Sequence, residues 1–172
     1  MSASKIVIIG TGLIGREHCA LVQKHPHAIL VGIADLSPSA KDYADEIGVA
    51  YYSDYQKLLE ETQPDAAIIA LPNTLHVPAG LACLKMGIPC LVEKPISDTI
   101  ESARVLVEAS ETLNVPVLIG HHRRHSPDIR EAKKLISEGA VGDIVAVNGM
   151  WLSDKPENYF EAEWRKKSGG GP

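Results

Sequence analysis

Ile6-Val7-Ile8-Ile9-Gly10-Thr11-Gly12-Leu13-Ile14-Gly15 is the stretch that decides the fold. Four consecutive aliphatic residues read as a strand buried on both faces. The pattern G-x-G-x-x-G follows at once and leads into an amphipathic segment. Each glycine has a mechanical task. Gly10 permits the tight turn, Gly12 lets a pyrophosphate approach the backbone, and Gly15 lets the helix pack close to the strand. Leu13 and Ile14 open that helix, where free N–H groups and the positive dipole end face phosphates. Asp35 ends the next apolar run, Val31-Gly32-Ile33-Ala34, 20 residues past Gly15 (35 − 15). A carboxylate at that place accepts hydrogen bonds from an adenosine ribose. Strand, glycines, helix and acid together predict dinucleotide binding. The competing explanation is a glycine-rich turn in another α/β fold.

Outward from this unit, strand and helix patterns alternate. Strands are expected at 5–9, 29–35, 50–52, 66–71, 88–92 and 115–119. Helices are expected at 13–24, about 38–47, 54–61, 75–86 and 98–113. Asp54 is a candidate N-cap, Gly48 a C-cap, and Asp98 with Glu101 resembles a capping box. Such alternation implies a doubly wound parallel sheet with helices on both faces, the Rossmann arrangement. After Gly120 the character changes. A helix is expected at 128–138 and a long strand at 143–152, followed by a polar, glycine-rich end. The chain therefore divides into a Rossmann domain, 1–120, and residues 121–172. The latter read as a connecting helix and the first strand of an incomplete α+β domain.

Bulk properties narrow the function classes. With 172 residues and 45% hydrophobic content, the chain can build one core and part of another. A net charge of −5 argues against a nucleic-acid surface and against anionic membranes. No apolar run approaches the roughly 20 residues that span a bilayer. Cys19, Cys83 and Cys90 are odd in number and sit in apolar-periodic segments, which suggests reduced, buried thiols in a cytoplasmic protein. His121, His122 and His125 have metal-compatible spacing, but Arg123 and Arg124 among them would repel a cation, so no metal is expected.

A second motif, Glu93-Lys94-Pro95, follows the fifth strand. Ligands of open parallel sheets sit outside the carboxyl ends of the strands. Gly10 to Gly15, Pro72-Asn73-Thr74 and Glu93-Lys94-Pro95 are thus expected to converge on one crevice. Pro95 biases Lys94 to extended geometry and permits a cis bond. In isolation, a Glu-Lys pair is more simply a solvated loop cap.

With these elements in order, the chain resembles the glucose–fructose oxidoreductase / inositol dehydrogenase / rhizopine-catabolism (Gfo/Idh/MocA) family of NAD(P)-dependent sugar and polyol dehydrogenases. The matching residues are Gly10 to Gly15, Pro72-Asn73-Thr74-Leu75-His76, Glu93-Lys94-Pro95, His122-Arg123-Arg124-His125-Ser126-Pro127, Gly139-Ala140-Val141-Gly142 and Trp164-Arg165. The resemblance implies that Leu71, Asn73 and His76 line the dinucleotide crevice. It implies that Glu93 accepts from the nicotinamide ribose and that Lys94 reaches both the nicotinamide end and the substrate hydroxyl. His122 matches a position facing the nicotinamide, and Trp164 and Arg165 a pair that touches the cofactor. Lys94 is the candidate catalytic residue, since a neighbouring cation and a desolvated crevice make lysine a better base. It could equally hold the substrate oxygen. Asp35 suits a 2′-hydroxyl and repels a 2′-phosphate, and Leu36-Ser37-Pro38 supply no arginine, so NAD is expected over NADP.

Members of this family carry a second α+β domain with an Asp and a His that complete the catalytic set. This sequence ends at Gly171-Pro172, before them. The expectation is a piece of a longer, homo-oligomeric oxidoreductase acting on a small hydroxyl substrate, with poor turnover by these 172 residues alone. The rival readings are a non-catalytic NAD-binding regulatory module and a related enzyme class sharing the same N-terminal half.

Overall fold

A computed structural model describes residues 3–154 together with Tyr159, Glu161 and Lys166. Contacts divide the chain into two units, one ending at Gly120 and one beginning at His121.

In the first unit, strand β1 (Ser4–Ile9) lies at the middle of a six-stranded sheet. The other strands are β2 (Ala28–Ala34), β3 (Ala50–Tyr52), β4 (Ala66–Ile69), β5 (Cys90–Val92) and β6 (Val117–Ile119). The order is β3-β2-β1-β4-β5-β6, and every pairing is parallel. The doubly wound sheet expected from the alternating pattern is therefore present. Its order reverses between β1 and β4, and that switch point is where such sheets bind ligands.

The alternation of side chains along β1 sorts the core into two layers. Ile8 faces Cys19 and Val22 of α1 (Leu13–Lys24) and Ala44 of α2 (Ser39–Ile47). Val7 and Ile9 face the other layer. That layer holds Leu58 and Leu59 of α3 (Tyr55–Thr62), Leu84 of α4 (His76–Lys85) and Leu106 of α5 (Ile100–Leu113). Truncating any of these fully buried leucines to alanine should cost about 2–5 kcal/mol.

Several boundaries differ from the sequence reading, each for a physical reason. Strands β5 and β6 begin later than expected because Pro89 and Pro116 have no N–H for the ladder. Their carbonyls still accept, from Ala67 and Cys90. Helix α5 is capped by Thr99, whose hydroxyl accepts from the Ser102 N–H at 3.1 Å. The expected Asp98–Glu101 box does not form: Asp98 accepts from the Ser97 hydroxyl instead, at 3.0 Å. Asp54 does cap α3, accepting from the Gln56 N–H at 2.8 Å.

The second unit contains a 3-10 turn (His122–His125) and helix α6 (Pro127–Ser137), with Pro127 at the first helical position. The strand expected at 143–152 is absent, because no described residues pair with that segment. An extended chain without a ladder leaves its N–H and C=O groups to water and cannot hold strand geometry. Its apolar side chains are correspondingly exposed, Val145 by 95% and Leu152 by 85%.

Candidate functional site

Sheet order puts β2, β1, β4 and β5 side by side, so the loops at their carboxyl ends adjoin one another. At the end of β1, Gly10 has φ +95°, and a Cβ on it would lie 2.5 Å from the Ala70 carbonyl oxygen. A Cβ on Gly15 would overlap the Gly10 carbonyl oxygen. These two glycines are required by the protein's own packing. Gly12 is different, since a Cβ there would meet no atom within 4 Å. Gly12 is also the N-cap of α1 and offers no side-chain cap. The first helical bond runs from the Arg16 N–H to the Gly12 carbonyl. The N–H groups of Leu13, Ile14 and Gly15 precede it, and they point along the helix axis toward that approach.

Asp35, just past β2, is bound to this loop. Its Oδ2 accepts from the Thr11 N–H at 2.5 Å and from the Thr11 hydroxyl at 2.9 Å. Its Oδ1 accepts from the Ser37 N–H at 2.7 Å. A carboxylate offers about four acceptor sites, so one remains on Oδ1, and a turn of the Thr11 hydroxyl frees a second. Arg16 does not face this carboxylate. It donates to the Thr11 carbonyl and lies 4.2 Å from the Tyr43 ring centroid.

At the end of β4, Leu71 is half-buried, while Asn73 is buried in a 3-10 turn that runs into α4. His76 is only 1% exposed. Its Nδ1 lies 2.8 Å from the Pro95 carbonyl oxygen and its Nε2 2.8 Å from the Leu71 carbonyl oxygen. Both ring nitrogens are thus engaged by the protein's own backbone.

At the end of β5, Glu93 turns back toward α1. Its Oε1 lies 2.9 Å from His18 Nε2, and its Oε2 accepts from the Lys94 N–H at 3.2 Å. Both side chains are largely buried, His18 at 19% and Glu93 at 14% exposure. The His18 hydrogen bond holds the Glu93 carboxyl below its ordinary pKa, against the opposing effect of burial. One acceptor site remains on each Glu93 oxygen, the arrangement that a vicinal diol needs. Lys94 is exposed beside it, and the Lys94–Pro95 peptide is cis.

Sequence reasoning missed three contributors. His18 shares no motif with Glu93, 75 residues away. Thr11, between the first two glycines, holds Asp35 through its N–H and its hydroxyl. Gly120 matters because the β5–β6 register, Val92 opposite Ile119, sets it beside Glu93. A Cβ on Gly120 would come 2.9 Å from Glu93 Oε1. The one available signal was the position of His18, one turn past Gly15 on a helix whose Gly15, Cys19 and Val22 are buried.

His122 lies in the exposed 3-10 turn of the second unit. Trp164 and Arg165 lie outside the described residues. Cys19, Cys83 and Cys90 are buried and free of disulfides. Burial pushes the Cys19 thiol up, and the Cys83 thiol is raised by its hydrogen bond with Cys90 and by burial. Among the described residues, no three His, Cys, Asp or Glu side chains converge to hold a metal, and no helix is long and apolar enough to cross a membrane.

The sequence and the fold resemble those of known proteins. The family described as oxidoreductases with an NAD-binding Rossmann fold matches residues 4–121. Inositol 2-dehydrogenase of Rubrobacter xylanophilus is 33% identical over 160 residues, covering 91% of this chain and 46% of its own length. The rhizopine catabolism protein MocA of Rhizobium meliloti is 26% identical, covering 99% of this chain and 53% of its own. Among solved structures, scyllo-inositol dehydrogenase from Lactobacillus casei with bound NAD(H) and scyllo-inositol superposes with a TM-score of 0.79 at 28% identity. That match covers 83% of this chain and 43% of that one. The chain spans about half the length of the curated relatives it matches.

Proposed function

This chain belongs to the Gfo/Idh/MocA oxidoreductase family with an NAD-binding Rossmann fold, and from that premise we propose that it binds NAD for hydride exchange with a sugar or polyol hydroxyl. The observation that carries this reading is the pair of carboxylates at the ends of β2 and β5, each keeping acceptor capacity beside the glycine loop. Asp35 takes the adenosine ribose, and the N–H groups of Leu13, Ile14 and Gly15 take the diphosphate across Gly12. Leu71 and Asn73 line the middle of the crevice, and Glu93 takes the nicotinamide ribose. Bound NAD supplies the hydride acceptor.

Lys94 binds the substrate hydroxyl and either accepts its proton or stabilises the oxygen as negative charge develops. The carboxylate of Asp35 favours NAD, because a 2′-phosphate beside it would meet like charge. For His122, Trp164 and Arg165 the support is the resemblance. The polyol assignment draws on the inositol dehydrogenases among the relatives.

Calorimetric titration of the 172-residue chain with NADH and NADPH tests the reading. Saturable NADH binding, weakened at least tenfold by Asp35→Ala and stronger than NADPH binding, is expected. Absence of heat with either coenzyme overturns the proposal. A panel of inositols and sugars with NAD, run on a chain extended to its relatives' length, then separates a dehydrogenase from a coenzyme-binding module without turnover.

A further inference from the structure

Glu93, Lys94 and Pro95 are held from two sides by histidines that come from different helices. On one side, His18 of α1 reaches Glu93 Oε1 at 2.9 Å, while the other carboxylate oxygen accepts the Lys94 N–H. On the other side, His76, at the start of α4, lies 2.8 Å from the carbonyl oxygens of both Pro95 and Leu71. Both of these partners only accept. The ring therefore donates to one of them in either neutral tautomer and to both when doubly protonated. Lys94 sits between the two attachments and is itself exposed.

We propose that His18 and His76 are positioning residues for Lys94. His18 fixes the Glu93 carboxylate and through it the Lys94 N–H, while His76 ties the Pro95 backbone to the end of β4. Three features of the surroundings support a built arrangement over a chance contact. His18 and Glu93 are mostly shielded from water, which strengthens a charge-assisted bond. Gly120 leaves the space that the Glu93 carboxylate fills. His76 is buried with its ring nitrogens between the carbonyl oxygens of Pro95 and Leu71, so its N–H is directed to a loop rather than to its own helix. A side chain that only filled space there would need no polar atoms, and burying them uncompensated is costly. The consequence is that the loop is set before any ligand arrives, so binding need not order it.

The proposal rests on the reading of Glu93 and Lys94 as ligand-facing groups, and its test separates the two. Amide hydrogen exchange of the full 172-residue chain, without coenzyme, is followed by mass spectrometry in peptides spanning residues 92–98 and 28–34. His18→Leu is expected to speed exchange across 92–98 roughly tenfold, the loss of one charge-assisted hydrogen bond. Peptides across 28–34, in β2, should not change. His18→Gln keeps an N–H donor and should restore most of the protection. His76→Leu is expected to act on the same peptides. If it does not fold, His76→Gln and the His18 pair still decide the question.

NADH titration of the folded variants is the second readout, with affinity expected to fall roughly tenfold in His18→Leu and to recover in His18→Gln. Unchanged exchange across 92–98 in His18→Leu overturns the proposal, as does a uniform rise across the sheet. If the wild-type chain fails to bind NADH, the function reading falls while the exchange result still stands or falls on its own.

Discussion

The two ends of the crevice hold their carboxylates in contrasting ways. Asp35 is gripped by its immediate surroundings, the Thr11 N–H and hydroxyl from the glycine loop and the Ser37 N–H two residues on. Two of its three donors are backbone groups whose positions the turns fix. Glu93 is held instead by one distant side chain, His18, and by the N–H of its own neighbour. The Asp35 end, where we propose the adenosine ribose, is thus built from local loop geometry. The Glu93 end, where we propose the nicotinamide ribose, is built from a tertiary contact that no local pattern specifies. On the proposed function, rigid backbone donors suit a ribose that is only bound, whereas a side-chain partner lets the environment of the reacting end be tuned.

Mutation should expose the asymmetry. The largest effect is expected from Asp35→Ala, which strands the buried Thr11 N–H and frees the Ser37 N–H. It should cost about 2–3 kcal/mol of stability in urea unfolding and also weaken NADH binding. An Asp35 variant that loses binding with no loss of stability would break the contrast, since the carboxylate would then be spent on the ligand alone.

The glycines provide a second, sharper separation. Gly10→Ala should destabilise the chain by about 1–3 kcal/mol, because φ is positive and the Ala70 carbonyl blocks the new Cβ. Gly12→Val should lower the thermal midpoint only slightly, through the poorer N-cap, yet lower NADH affinity by roughly a hundredfold, because a Cβ there meets no protein atom within 4 Å and stands where we propose the diphosphate.

At the other end, Glu93→Gln should cost about 1 kcal/mol of stability and lower NADH affinity roughly tenfold, as one charge-assisted bond is replaced by a neutral one.

The smallest effect is pH-dependent. The His18 bond depresses the Glu93 carboxyl in the folded chain. Its stabilisation is therefore complete above the ordinary glutamate value of about 4.3 and is lost as pH falls through and below that value. Denaturation curves from pH 7 to pH 3 should show wild type and Glu93→Gln converging in acid. A gap that widens in acid would reverse the sign of this assignment.

A further contrast separates the two units. Residues up to Gly120 bury two layers of aliphatic side chains around the sheet. Beyond it, no described residue is buried, although 143–152 is as apolar in pattern as several strands of the sheet. The segment shows how far a hydrophobic run carries on its own. β-structure needs a ladder partner, and the run does not contain one. Within the second unit the Arg123 guanidinium carbon does lie 3.9 Å from the centroid of the Trp151 ring. Such a contact organises two side chains without building a core.

Legibility in the sequence followed the range of the interaction. The β-α alternation, the N-cap at Asp54 and the C-cap at Gly48 depend on neighbours within a turn, and the periodicity exposed them. The Thr99 cap was displaced by one residue from the expected Asp98 because two acceptors compete next to each other, and backbone geometry chose between them. Asn73 and His76 stood in a recognisable motif, yet the motif did not say that the His76 ring turns inward to two carbonyls.

By itself, the sequence determined a parallel doubly wound sheet, the glycine turn into α1 and an acid poised at the end of β2. Those features follow from local sterics and from spacings fixed by strand and helix rise. Only the tertiary structure decided that His18 meets Glu93, that Gly120 clears room for it, and that 143–152 is no strand. Each of those outcomes depends on which distant atoms share a neighbourhood, and chain order alone does not encode that.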